Sequence, residues 1–275
     1  MEKSIKFSIF SNYIFRLFWF FSKRVSYFEN FFRFLRLFSF NSTGDSMDLL
    51  GTALLDLYSN NLRSKFIFHQ HCLQKKFNAY RYEVDLGRYF RTRQDLTSLE
   101  NKLIDLSYGN ILDIGSNTGY YIPFLMDKGT TTGIEISSKI NDIAKKNGLH
   151  NCITGDIFKY KFNKKFDTIT MMESDIVLSG TLYRLKKLLK IFFKLLNMNG
   201  QVLLIMKNIQ TLKYWRVVYT PNYNDCFGIP FKLLYLNIIF LKKLAERFNF
   251  QFILIGKEGS PERPFYLIRL VKSLK

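Results

Sequence analysis

The sequence predicts an α/β protein: a seven-stranded, mostly parallel sheet that closes in an antiparallel hairpin, preceded by an aromatic-rich helical extension. Three observations lead there. From Asn110 onward, short apolar runs alternate with amphipathic helical stretches, which is the pattern of a parallel sheet covered by helices on both faces. The last two strands are separated only by residues 256–264, too few for a crossover helix, so they pair antiparallel. Before residue 47 the composition changes, with a dense run of Phe and Trp between Phe7 and Phe40.

Residues 1–46 therefore read as an aromatic, basic extension, and 47–275 as the main domain, divided into a cap region (47–109) and a core (110–275). Within the extension, Ser8, Asn12, Arg16 and Lys23 fall along one polar stripe and Glu29, Asn30, Arg33 and Arg36 along another. Two short amphipathic helices with broad aromatic faces suit a membrane interface, a lid over a cleft or a partner surface. Ser11, Asn12 and Arg16 interrupt the apolar run, which argues against a spanning helix and against a secretory leader. Met47 also opens a segment that reads as a natural start.

In the main domain, residues 48–60 read as a helix carrying Leu49, Leu50, Leu54 and Leu55. Phe66–Phe68 and Tyr82–Val84 are strand-like. A helix is expected from about Arg93 to Ser107, with Leu96, Leu99, Leu103 and Leu106 on one face and Thr97 to Glu100 as a capping box. The core strands are Ile111–Ile114, Thr131–Ile136, Asn151–Thr154, Asp167–Met172, Gln201–Met206, Phe250–Ile255 and Phe265–Val271. Helices are expected at Tyr120–Asp127, Lys139–Lys146, Thr181–Leu196 and Leu234–Phe248. Residues 214–230 form a long connection rich in aromatics, placed to cover the cleft as a lid.

Chemistry concentrates at the carboxyl ends of the first three core strands, where open α/β sheets bind ligands. The first ends in Asp113-Ile114-Gly115-Ser116-Asn117-Thr118-Gly119 and runs straight into a helix. Glycines there allow a sharp turn and a close backbone approach to a ligand. The second strand ends in Glu135-Ile136, with Glu135 twenty residues beyond Gly115. That spacing sets a carboxylate beside the loop, where its two oxygens can accept from ribose hydroxyls. After the third strand, Asp156 can accept from a purine amine while Ile157 packs on the ring.

Together these residues resemble the class I, Rossmann-like S-adenosylmethionine-dependent methyltransferases, over roughly residues 100–274. The resemblance implies that Asp113, Gly115, Ser116, Asn117 and Gly119 hold the methionine part of S-adenosyl-L-methionine. It implies further that Glu135 and Ile136 hold the ribose side, that Asp156 and Ile157 hold the adenine, that Met172 contacts the cofactor, and that the segment after the fourth strand, Glu173-Ser174-Asp175, flanks the transferable methyl group. The product would be S-adenosyl-L-homocysteine. A narrower likeness, carried by Gly51–Asp56, Tyr89-Phe90-Arg91, Gly180-Thr181-Leu182 and Tyr266–Leu270, is to a group of small bacterial methyltransferases of unassigned substrate. Where that group tends to have Asn and Gly after the fourth strand, this chain has Glu173-Ser174-Asp175.

A sulfonium methyl group is already activated, so the protein mainly aligns a nucleophile and removes its proton. Glu173, Asp175 and His71 are the candidate bases, with His69 beside them. Tyr89, Arg91, Arg93 and Trp215 are the candidate substrate contacts, with a structural ion pair as the alternative role for Arg91. No second ligand pair accompanies the His69–Cys72 cluster, so no metal is expected. No Asn/Asp-Pro-Pro-Tyr segment follows the fourth strand and no separate nucleic-acid module is visible, which argues against nucleic acid as acceptor. The basic edge of helix 181–196 reads as a solvated face. A small molecule or peptide is the expected acceptor. The alternatives are a nucleic-acid methyltransferase, an aminopropyl transferase or a non-catalytic scaffold that docks through its aromatic extension. Lys+Arg 41 against Asp+Glu 22 gives net +19, spread along the chain and suited to anionic partners. Three scattered cysteines, Cys72, Cys152 and Cys226, point to a reducing compartment, the cytoplasm.

Overall fold

The structure, a computed structural model, describes residues 48–72, 80–173, 175–210, 212–262 and 264–273, with the side chains of His71, Cys72 and Asp175 left out. The expectations for residues 1–46 lie outside the described residues.

Helix α1 (Leu49–Tyr58) starts at Asp48, whose side chain caps Gly51 N–H. Strands β1 (Ile67–Cys72) and β2 (Tyr80–Glu83) follow, then a 3-10 segment over Leu86–Phe90. Helix α2 (Ser98–Leu106) begins at the expected capping box: Thr97 N–H donates to Glu100 Oε2 at 2.7 Å and Glu100 N–H to Thr97 Oγ1 at 3.3 Å. One continuous helix from Arg93 does not form. Arg93–Asp95 is a separate 3-10 turn, because Leu96 and the N-cap Thr97 are extended.

The core then alternates as expected: β3 (Gly109–Ile114), α3 (Ile122–Met126), β4 (Gly129–Glu135), α4 (Ser138–Lys146), β5 (Cys152–Thr154), β6 (Phe166–Met171), α5 (Leu182–Leu195) and β7 (Leu196–Lys207). After β7 come β8 (Tyr214–Tyr223), β9 (Cys226–Phe227), β10 (Phe231–Leu236), α6 (Ile238–Arg247), β11 (Phe250–Glu258) and β12 (Phe265–Lys272). The larger sheet runs β11-β12-β7-β6-β3-β4-β5. Its β3–β4, β3–β6, β4–β5 and β6–β7 pairs are parallel, and the β7–β12 and β12–β11 pairs antiparallel. The seven-stranded sheet with its reversed terminal hairpin is thus present. Its interior is apolar on both faces, and Val202 to Met206 on β7 are all buried. Val202, Leu204 and Met206 pack against Leu185, Leu188, Leu189 and Phe192 of α5 at three- and four-residue spacing, and Leu203 and Ile205 pack with Leu99 and Leu103 of α2 on the other face.

Because β3 has β4 on one side and β6 on the other, its carboxyl end is the point where the winding reverses and a crevice opens. A second, antiparallel sheet in the order β10-β8-β1-β2, with β9 on β8, is built from two segments far apart in sequence. Phe68 on β1 faces both Tyr82 on β2 and Pro221 on β8. The connection expected as a lid is therefore half of a sheet whose other half precedes the core. The helix expected from Leu234 starts only at Ile238, because Asn237 caps it, its Oδ1 accepting from Ile239 N–H (2.9 Å) and Phe240 N–H (3.3 Å). Residues 234–236 pair with β8 instead, as a short apolar run fits helix or strand equally well. Among the described residues no helix is long and apolar enough to cross a membrane.

Candidate functional site

The turn after β3 is held by the neighbouring strand. Gly115 N–H and Ser116 N–H both donate to the Ile134 carbonyl, at 2.9 and 3.2 Å. Gly115, Asn117 and Gly119 take positive φ values of 77°, 51° and 82°. At Gly119 the demand for glycine is steric as well, since a Cβ would stand 2.5 Å from Leu149 Cδ1. Thr118 Oγ1 donates to the Tyr89 carbonyl, which ties the Leu86–Phe90 segment onto this loop.

Glu135, the last residue of β4, reaches the loop: Asn117 N–H donates to its Oε2 at 3.1 Å and Ser137 N–H to its Oε1 at 2.9 Å. Burial pushes this carboxyl above its usual range, while the two amides pull the other way. Each oxygen keeps lone-pair capacity for a further donor. Gly155 N–H donates to the Glu135 carbonyl at 2.8 Å, so the third turn hangs from the second strand. There Asp156 accepts from Phe158 N–H at 2.9 Å. Gly115, Glu135, Ile136, Asp156 and Ile157 share the wall of one cavity of about 270 Å³.

Beneath the loop, Asp113 is fully buried. Thr170 Oγ1 donates to its Oδ1 at 2.7 Å, and its Oδ2 has no hydrogen-bond partner. Burial, with a smaller contribution from nearby Glu135, pushes its pKa up to about 7. Ser116, also buried, packs under the same turn. The cavity is lined by Met171, whereas Met172 packs on the opposite side of the sheet with Leu203 and Ile205. One residue along a strand exchanges faces.

Glu173, two residues beyond the end of β6, has a positive φ of 46°, uncommon outside glycine. Its Oε2 accepts from Arg88 at 2.6 Å and its Oε1 from Arg91. Arg91 also donates to Glu100 Oε1 (2.7 Å), Tyr120 (3.2 Å) and Tyr121 (2.7 Å). Burial works against the Arg91 charge, but hydrogen bonds with Tyr120 and Glu100 outweigh it and hold the guanidinium above its ordinary pKa. Burial likewise opposes the Glu100 charge, and the Tyr121 hydroxyl, Thr97 N–H and Arg91 keep that carboxyl below its usual range. Both Glu173 oxygens are thus engaged by cations, and Arg91 is committed to an internal network. Arg93 lies elsewhere, 3.5 Å from Asp105 with its guanidinium over Phe124. Trp215 sits on β8 opposite Tyr235 of β10. Among the described residues no cluster of metal-ligating side chains occurs.

The second sheet contributes what linear reading missed. Phe231 and Lys232 of β10 close one side of the cavity, and Phe158 and Arg184 another, the Arg184 guanidinium 4.0 Å from the Phe158 ring. No local signal marks a strand more than a hundred residues downstream as cavity wall. Arg184, three residues past the helix cap Thr181, was legible only as part of a basic edge.

The fold is shared with known proteins. Residues 112–204 match the family model for a methyltransferase domain. The structure is similar to an S-adenosylmethionine-dependent methyltransferase from Bacteroides fragilis solved with S-adenosyl-L-homocysteine: TM-score 0.70, 23% identity, covering 84% of this chain and 97% of that one. It is also similar to a sugar N-methyltransferase from Streptoalloteichus (TM-score 0.52, 12% identity, 74% of this chain and 100% of that one). An amino pentose methyltransferase from Micromonospora echinaspora is comparable (0.51, 11%, 72% and 100%). A search of curated protein sequences gives no match. Residues 112–204 thus resemble a methyltransferase domain, and the fold of the chain is the one these solved S-adenosylmethionine-dependent methyltransferases share.

Proposed function

We propose that this chain transfers the methyl group of S-adenosyl-L-methionine to a small-molecule or peptide acceptor, within a reducing compartment. The observation that carries the reading is the convergence of the Gly115–Gly119 turn, Glu135 and Asp156 on one cavity. A nucleoside fits that donor and acceptor set. Glu135 offers two fixed carboxylate oxygens to a vicinal diol, each such charged hydrogen bond contributing roughly 1.5–3 kcal/mol. Asp156 offers an acceptor at the base end, in a wall it shares with the apolar side chains of Ile136 and Ile157. The glycine turn lets backbone amides approach an amino-acid tail. When bound, the cofactor supplies an electrophilic methyl group.

The chain's own part is to hold and dry the reacting groups. Arg88 and Arg91 fix Glu173 at the carboxyl end of β6, so Glu173 serves better as a positioning group for the Leu86–Arg91 segment than as a base. Asp175 and His71 remain the candidate bases. The second sheet, through Phe231, walls the cleft from water.

Methyl-labelled cofactor, incubated with the protein and a cell extract, tests the acceptor class. Label in the small-molecule or peptide fraction supports the proposal; label confined to RNA or DNA overturns it in favour of the nucleic-acid alternative. A ligand at a hundred times its Kd stabilises a fold by about 2.7 kcal/mol. Absence of any thermal shift with S-adenosyl-L-homocysteine removes the enzymatic reading altogether.

A further inference from the structure

The charge of the molecule is not evenly placed. Helix α5 carries Arg184, Lys186, Lys187, Lys190 and Lys194 and no acidic residue, and residues 158–166 carry Lys159, Lys161, Lys164 and Lys165, again with none. Folding joins the two segments. The Arg184 and Lys187 cations both lie over the Phe158 ring, at 4.0 and 5.7 Å. At the other end of α5, Lys272 lies over Phe193 at 4.6 Å, and its pKa is lowered by burial and by neighbouring Lys165. Among the described residues none of these ten cations forms an ion pair with a carboxylate. The buried positions of α5 fix its orientation, and Tyr183, Lys187, Lys190 and Lys194, spaced four, three and four apart, point directly away from the core. The three lysines are exposed, as is Tyr183 at 72%. Tyr160 and Met198 are exposed on the same two segments and at the end of the helix, at 42% and 58%.

We propose that this face is a docking surface for an anionic phospholipid membrane. Nine of the ten cations are lysines, which act as point charges and do not offer the planar fork that reads individual phosphates. They stand on a convex helix ridge, suited to a flat surface, whereas single-stranded nucleic acid is held in a basic groove. Exposed tyrosines among lysines are the side chains that settle at a headgroup boundary, the ring in the apolar layer and the hydroxyl in water. Like charges held this close repel one another, and an anionic lipid surface relieves that repulsion. The sequence of residues 1–46, basic and dense in Phe, supplies a second membrane signal of the kind a stable attachment requires.

The test is co-sedimentation of the full chain with vesicles of phosphatidylcholine alone and of phosphatidylcholine with phosphatidylserine, at low and high salt. Binding to the mixed vesicles only, lost at high salt, is expected. Each lysine near an anionic surface contributes a factor of roughly five, so the triple variant Lys187→Gln, Lys190→Gln, Lys194→Gln raises the half-saturating lipid concentration on the order of 100-fold. These lysines are exposed and lie outside the cavity wall, so the variant keeps the wild-type melting temperature and its response to S-adenosyl-L-homocysteine. Equal vesicle binding by wild type and variant overturns the proposal, as does no binding by either. So does tighter binding of a single-stranded oligonucleotide that the same substitutions abolish, which would assign the face to nucleic acid.

Discussion

Replacing Asp113 by Asn makes the stability of this fold less dependent on pH, and the size of the effect follows from its surroundings. The carboxyl is fully buried, has one partner in Thr170 and leaves Oδ2 unpaired, so burial raises its pKa from 3.8 to about 7. Such a rise corresponds to roughly 4 kcal/mol between the two ionisation states. Below about pH 4 the group is neutral in both the folded and unfolded chain and costs nothing. As the pH climbs, the unfolded chain loses its proton first while the folded chain keeps it, so stability declines until the folded carboxyl ionises near pH 7. Asparagine keeps the shape and the acceptor for Thr170 but buries an unpaired N–H, at about 1–3 kcal/mol. The variant is therefore less stable than wild type near pH 4 and more stable near pH 8. Urea unfolding of both proteins across that range measures the difference, in which the other titrating groups largely cancel. A difference constant within about 0.5 kcal/mol over the whole range refutes the reasoning.

Other predictions rest on neighbouring features. Gly119→Ala forces a Cβ against Leu149 in a left-handed conformation and destabilises by about 2–4 kcal/mol, read by thermal unfolding. Arg91→Ala leaves Glu100 buried without its cation and lowers stability by about 3–5 kcal/mol. Arg93→Ala, which breaks an exposed pair, changes stability by less than about 1 kcal/mol in the same denaturation assay. If the two arginines give equal losses, the internal network is misjudged. Tyr223→Phe removes a hydroxyl that donates to Asp56 at 2.8 Å and accepts from Arg63 N–H, and costs about 1 kcal/mol in chemical denaturation.

The core sheet was legible because its signals are local. Alternating apolar runs, the Thr97–Glu100 capping box and the missing helix before the terminal strand each act within a few residues. The turn at Gly115, the reach of Glu135 to it and the position of Asp156 were readable for a related reason: parallel strands of fixed rise carry their ends to one edge of the sheet. What could not be read depends on distant pairing. Phe66–Phe68 and Tyr82–Val84 look like strands, but nothing local says that β8 lies beside β1 or that Phe231 joins the cavity wall. The Met171/Met172 exchange shows how little register separates a lining residue from a core residue. The Arg88–Glu173–Arg91–Glu100 network was hidden for the same reason, as charge type in sequence does not say which charges meet.

Cofactor binding turns most on the grip of Glu135 on a ribose, and calorimetry of S-adenosyl-L-homocysteine binding addresses that grip directly. Wild type binds with measurable heat, and Glu135→Gln, which retains bulk but loses the charge, weakens binding by roughly 1.5–3 kcal/mol, or about 10- to 150-fold, without unfolding the protein. A folded wild-type protein that takes up no ligand, or a Glu135→Gln variant that binds as tightly as wild type, contradicts it.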